Sequence, residues 1–207
     1  MATLNWKNDL KTLYFPPARP VMVDVPAMNF LMIDGHGDPN NNPHYQAVVE
    51  ALFGLSYTLK FAIKKAGGAD YAVFPLEGLW WVPDMADFSV ERKQDWDWTM
   101  MMAQPEPVTP EGVERARAEV VKKKGPALEA LVSRARFERY HEGLCAQVMH
   151  TGPYSAEGPT IAGLHDFIAA QGCARSGKHH EIYLSDVRRT APEKLKTAIR
   201  QPAARLP

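Results

Sequence analysis

Apolar and polar positions change period several times along the chain, and each change predicts an element. FLMIDGHGDPNNNP reads as a short apolar strand that runs into a turn rich in Gly, Asn and Pro. From Pro43 the period lengthens: Val48, Leu52, Leu55 and Leu59 recur at helical spacing, Pro43 suits a first turn, and Gly67-Gly68 closes the run. YAVFPLEGLWWV is strand-like, with Pro75 beginning or bulging the paired part rather than sitting mid-ladder. DWDWTMMMAQ alternates, placing Trp96, Trp98, Met100 and Met102 on one face and Asp97, Thr99 and Met101 on the other. Thr109-Pro110 marks a helix start, and helical runs cover Glu111 to Lys124 and Pro126 to about Glu138, broken at Gly125-Pro126. EGLCAQVMHTGPY predicts a strand and turn, EGPTIAGLHDFIAAQG a helix with Ile161, Leu164 and Ile168 in register, and HHEIYLSD the final strand. The tail from Arg188, with six basic residues and one acid (Glu193), reads as a solvated closing segment, a phosphate contact being the lesser alternative.

Two of these stretches repeat one plan. FLMIDGHGDP, NNNP, helix and strands in the first half parallel AQVMHTGPY, SAEGP, helix and strand in the second. This predicts two similar α+β units sharing a sheet, with a cleft on their pseudo-axis. The 207 residues suffice for a substantial core, organised as an arm over residues 1–20 followed by a domain over 21–207.

Charge then narrows the function classes. Lys plus Arg and Asp plus Glu both total 24, so the chain lacks the net positive field on which non-specific nucleic-acid binding depends. Cys145 and Cys173 form neither a CxxC pair nor a disulfide framework. The start lacks signal-peptide features, and no apolar run approaches the ~18 residues of a membrane span. The expectation is a cytoplasmic protein that binds neither nucleic acid nor membrane directly; the oligomeric state is not legible.

Side-chain chemistry points to a small-molecule site. Trp80, Trp81, Trp96 and Trp98, four of the five tryptophans, lie in two neighbouring strand-like segments together with Met100 and other methionines. Such stripes usually pack a core, but here both strand faces carry large side chains, and Trp and Met suit flat aromatic or cationic ligands. In HHEIYLSD, His180, Ile182 and Leu184 go to one face and Glu181 and Tyr183 to the other. A carboxylate opposite a core face pairs with water on an open sheet; within an apolar cavity it attracts a cation or acts as a base. Tyr183 and Tyr154 could donate hydrogen bonds beside Glu181, and Glu77 is a second, weaker carboxylate candidate. His36, His44, His150 and His165 show no metal-ligand spacing, and adjacent His179 and His180 point opposite ways, so no metal or cofactor is expected. GHGDPN lacks the patterns of phosphate-binding glycine loops, and no GxSxG elbow is present.

FLMIDGHGDPN, PLEGLWW, WDWTMMMAQP, HTGPYSAEGPTIAGLHDF and HHEIYLSDVRRTAPEKLKTAIRQP, in this order from about Phe30 to Pro202, resemble the gyrase-inhibitor-like (GyrI-like) small-molecule-binding family, and more closely its stand-alone members. The resemblance implies duplicated strand–helix–strand–strand (SHS2-type) units forming an antiparallel sheet, with helices on one face and a ligand cleft on the other. It implies an acidic residue on the last strand as charge partner for hydrophobic, often cationic compounds, a position Glu181 matches. About twenty residues before the first matched strand are too few for a helix-turn-helix domain. Some stand-alone relatives are cyclopropanoid cyclopropyl hydrolases, for which Glu181 would activate water, Tyr154 or Tyr183 would serve the carbonyl oxygen, and Trp80, Trp81, Trp96 or Trp98 would hold the substrate. The alternative is a non-catalytic binding or sequestering module, or a gyrase-interacting protein.

Overall fold

The computed structural model describes residues 5–89 and 91–206; the first four residues of the expected arm lie outside them. The protein is α+β, with nine strands among the described residues and antiparallel pairing wherever the register is defined. Each repeat runs strand, helix, strand, strand. The first is β2 (Met28–His36), α3 (Pro43–Lys65), β3 (Leu76–Trp81) and β4 (Asp97–Gln104). The second is β6 (Gly143–Thr151), α6 (Gly158–Ala170), β8 (His179–Tyr183) and β9 (Lys196–Arg205), with the short β7 (Cys173–Arg175) inserted before β8. Outside the repeats lie β1 (Val21–Val25), β5 (Arg136–Tyr140), α4 (Pro110–Lys124), α5 (Glu129–Arg134) and two single-turn helices, α1 (Trp6–Asp9) and α2 (Lys11–Tyr14).

The chain forms two compact units. The first comprises Met28–Leu76, Trp81–Tyr140 and the start of the chain through Asp9. Its strand order is β4-β2-β5, and α3, α4 and α5 pack together, α3 also lying on β2 and β4. Helix α3 begins where the Asn42 side chain accepts the His44 N–H ahead of Pro43, and it ends in Lys64 and Lys65 before Gly67, whose φ of +79° only glycine adopts without strain. Its buried stripe is Val48, Ala51, Leu52, Leu55, Ser56 and Leu59. Thr109 caps α4 by accepting the Gly112 N–H.

The second unit comprises Leu10–Ala27, Glu77–Trp80 and the chain from His141. Its order is β1-β6-β9-β8-β3, with β7 also on β9. Register defines the two faces. Val148 opposes Ile199, which opposes Glu181; Gln147 opposes Arg200, which opposes His180. Leu164 and Ile168 of α6 close a core with Ala146, Val148 and Ile199, so α6 covers the Glu181 face of this sheet. The segment around α2 covers the other face, where Thr12 and Leu13 carbonyls accept from Gln147 and Arg200.

Two sequence expectations are corrected here. The helical run from Pro126 stops at Arg134, and Arg136–Tyr140 is a strand on β2. Charged alternation in RFERY suits an edge, where one face is solvated. The tail from Arg188 is not a solvated closing segment: Lys196–Arg205 is a strand between β6 and β8, buried from Thr197 to Ala203. Pro202 falls in the gap between the residues paired with β8 and those paired with β7, a place where a strand tolerates proline.

Candidate functional site

On the α6 face of the second unit, β8 presents His179, Glu181 and Tyr183 at every second residue. The Tyr183 hydroxyl donates to Glu181 Oε2 at 2.8 Å and accepts from the Trp80 indole N–H of β3 at 3.2 Å. His179 Nε2 lies 3.2 Å from the other carboxylate oxygen. The Glu181 side chain is only 14% exposed, so this carboxylate is held mostly out of water among hydrogen-bonding partners. Tyr154, in the turn before α6, meets the Tyr183 ring edge-on at 5.6 Å and is 40% exposed. Among the described residues its hydroxyl has no hydrogen-bond partner. Burial, then the Glu157 and Glu181 charges, push its pKa up to about 12, so it remains a neutral donor. Its partner turn is held by His150, whose ring contacts the Thr160 hydroxyl at 2.9 Å and the Pro153 carbonyl at 3.3 Å.

The opposite face of the same sheet holds a buried ionic network that sequence reasoning missed. His180 sits between two carboxylates, with Nδ1 3.0 Å from Glu142 and Nε2 3.0 Å from Glu77. Arg200 donates to Glu142, to Gln147 and to the Leu13 carbonyl, and the Tyr14 hydroxyl donates to Glu77 at 2.9 Å. Burial alone would raise the Glu142 pKa, but His180 and Arg200 outweigh it and lower it to about 2. Burial likewise opposes a charged His180, yet the Glu142 and Glu77 carboxylates hold its pKa above the ordinary value. Alternation could have placed Glu77 and His180 together on this face, but nothing local marked Glu142 or Arg200 as their partners.

The expected site residues therefore divide. Glu181, Tyr183, Tyr154 and Trp80 come together on one face of the second unit, while Glu77 belongs to the network on the other. Trp81, Trp96, Trp98 and Met100 belong to the first unit. There Trp98 is fully buried, its N–H bonded to the Gly37 carbonyl and its ring edge-on to Tyr45 at 5.4 Å. Met100 is fully buried beside it on β4. Trp96 stacks on Phe88 at 4.8 Å and donates to the Ser89 carbonyl; Trp81 is half-buried. Among the described residues, no group of three or more His, Cys, Asp or Glu side chains is arranged to hold a metal. No helix there is long and apolar enough to cross a membrane. An open depression of about 290 Å3 lined by Lys11, Phe15, Val21 and Gln147, among others, lies in the second unit; Glu181, Tyr183, Tyr154 and Trp80 are not in its lining.

Residues 19–203 match the model of the GyrI-like small molecule binding domain. An uncharacterised conserved protein from Listeria innocua is 40% identical with a TM-score of 0.90, and a hydrolase from the same organism is 39% identical with a TM-score of 0.87; each alignment covers 98% of this chain and 100% of the other. The EcmrR C-terminal domain, at 10% identity and a TM-score of 0.55 over 94% of this chain and 99% of that one, shares the fold. No protein of curated function matches the chain.

Proposed function

Because the chain belongs to the GyrI-like small-molecule-binding domain family, we propose that the Glu181, Tyr183, Trp80 and Tyr154 cluster captures planar hydrophobic or cationic compounds and hydrolyses those bearing a cyclopropane conjugated to a carbonyl. The observation that carries this reading is Glu181 itself: a carboxylate mostly withdrawn from water and fixed through both oxygens, one of them by Tyr183, whose ring meets that of Tyr154. Two similar solved structures from Listeria innocua, both described as a hydrolase, favour the catalytic form.

In this reading the two tyrosines take different roles. Tyr183 gives its proton to Glu181 and its lone pair to Trp80, so it orients the base. Tyr154 serves the substrate. Glu181 accepts a proton from water as the water oxygen bonds to the cyclopropyl carbon. The ring C–C bond breaks, and its electron pair moves through the conjugated system to the carbonyl oxygen. Tyr154 donates a hydrogen bond to that oxygen as charge accumulates. With its pKa near 12, Tyr154 stabilises the oxyanion without surrendering its proton, and the oxygen is protonated from solvent. Glu181 then releases its proton to solvent. General-base help of about a hundredfold to ten-thousandfold is enough for a strained ring, provided the water is positioned.

The test uses a spirocyclopropane-dienone substrate and an environment-sensitive neutral aromatic dye. Glu181→Gln should abolish turnover while retaining dye affinity, and Tyr154→Phe should lower kcat by roughly ten- to a hundredfold. Absence of turnover by the wild-type protein, with saturable dye binding, would instead identify a binding or sequestering module.

A further inference from the structure

Helix α3 buries one stripe against its unit and leaves a second stripe uncovered. Phe53, Tyr57 and Phe61 follow one another at four-residue spacing, with successive rings stacked at 6.4 and 6.3 Å. Tyr57 is 46% and Phe61 59% exposed, so two of the five exposed large apolar side chains among the described residues are consecutive rungs of one ladder. Aromatic surface concentrated in this way marks an interaction face rather than the scatter of single exposed residues that any protein shows.

The ladder is symmetric about Tyr57, and so are the charges that end it. Four residues on either side stand Phe53 and Phe61; seven residues on either side stand the exposed Glu50 and Lys64. Positions 50, 53, 57, 61 and 64 stand three, four, four and three residues apart, a spacing that keeps them on one face of the helix. If two copies of α3 run antiparallel and cross at Tyr57, Tyr57 meets itself, Phe53 meets Phe61, and Glu50 meets Lys64 at both ends. Each copy would thus present to its mate the surface that the mate presents to it, as a two-fold interface requires. A parallel arrangement would put Glu50 against Glu50 and Lys64 against Lys64.

We propose that α3 is a self-association surface and that its partner is a second copy of this chain, docked antiparallel about Tyr57. Within one copy Glu50 pairs with Lys124 at 2.9 Å and Lys64 with Asp70 at 2.7 Å, both exposed pairs. Such pairs exchange or share at little cost, so the charges set orientation and the rings supply adhesion. From Glu50 to Lys64 the seam is about 21 Å long, and at about 10 Å wide it is smaller than the ~800 Å2 per partner of a standard interface. The dimer is therefore concentration-dependent.

Sedimentation velocity of the full chain from about 5 µM to about 500 µM, a span suited to a sub-standard interface, should show a monomer–dimer equilibrium. Tyr57→Glu should abolish it with the circular dichroism unchanged. Glu50→Lys and Lys64→Glu should each weaken it, and the double swap should restore it. Tyr57→Cys should cross-link to itself through a short bis-maleimide, because Cys145 and Cys173 are buried; Phe61→Glu in the same chain should remove that product. A monomer throughout the range, or a dimer indifferent to Tyr57→Glu, would overturn the proposal. So would a dimer weakened by both single charge changes and not rescued by combining them.

Discussion

Glu181 and its neighbours show how much one strand's alternation can say. HHEIYLSD was enough to separate Glu181 and Tyr183 from Ile182, because two-residue periodicity is local. It could not show that the Tyr183 hydroxyl is engaged by residues of two strands. At this scale the expected behaviour of Tyr183→Phe follows. The ring and its edge contact with Tyr154 remain, while Glu181 loses one fixing donor and the Trp80 N–H loses its acceptor. Dye affinity should stay within about twofold, and kcat should fall about tenfold, the size of one charge-assisted hydrogen bond. Steady-state kinetics with separate kcat and KM values check this, and an unchanged kcat would remove Tyr183 from the positioning role.

Elements were legible where their pattern was clean and illegible where neighbours supply the reason. The long apolar period of α3 and its Asn-Pro start need nothing beyond themselves. Strand β9 is the contrary case. Thr197, Ile199 and Gln201 alternate with Ala198, Arg200 and Pro202, and neither set looks apolar enough for a buried strand. Arg200 is buried because Glu142, Gln147 and a backbone carbonyl from the far end of the chain receive it. The β2–β4 pair makes a similar point. Gly35 lies directly opposite Trp98, and a Cβ at Gly35 would collide with the indole ring. Gly35→Ala should therefore destabilise by about 1–3 kcal/mol through overpacking, read from the denaturant midpoint. A change within ~0.3 kcal/mol would show that the ring can move aside.

For the molecule as a whole, the buried network makes stability depend on pH in two directions. His180 has a folded-state pKa above its ordinary 6.5, so its contribution is complete below that value and is lost as pH rises through the raised one. Glu142 has a folded-state pKa near 2 against an ordinary 4.5, so its contribution is present above 4.5 and is lost as pH falls toward 2. Tyr14, Glu77, Gln147 and Arg200 also belong to the network, and burial first, then Glu77, raises the Tyr14 pKa, which keeps it a donor. Thermal melting should show a plateau of Tm between about 4.5 and 6.5 with a decline on both sides. In His180→Gln the plateau should be lower and its alkaline shoulder should vanish up to about pH 9, before tyrosine ionisation begins. An identical shoulder in that variant would show that His180 is not its source.

The sequence by itself determined the repeated strand–helix–strand–strand plan, the α+β class, the family, and the placing of Glu181 and Tyr183 on one strand face. These depend on periods and turn residues that act over a few positions. Only the tertiary structure decided that Arg136–Tyr140 and Lys196–Arg205 are strands, that Glu77 serves a buried network, and that Tyr154 stands beside Tyr183. Each of those outcomes depends on partners distant in the chain, because a charge or an amide accepts burial only when a complementary group arrives from elsewhere in the fold.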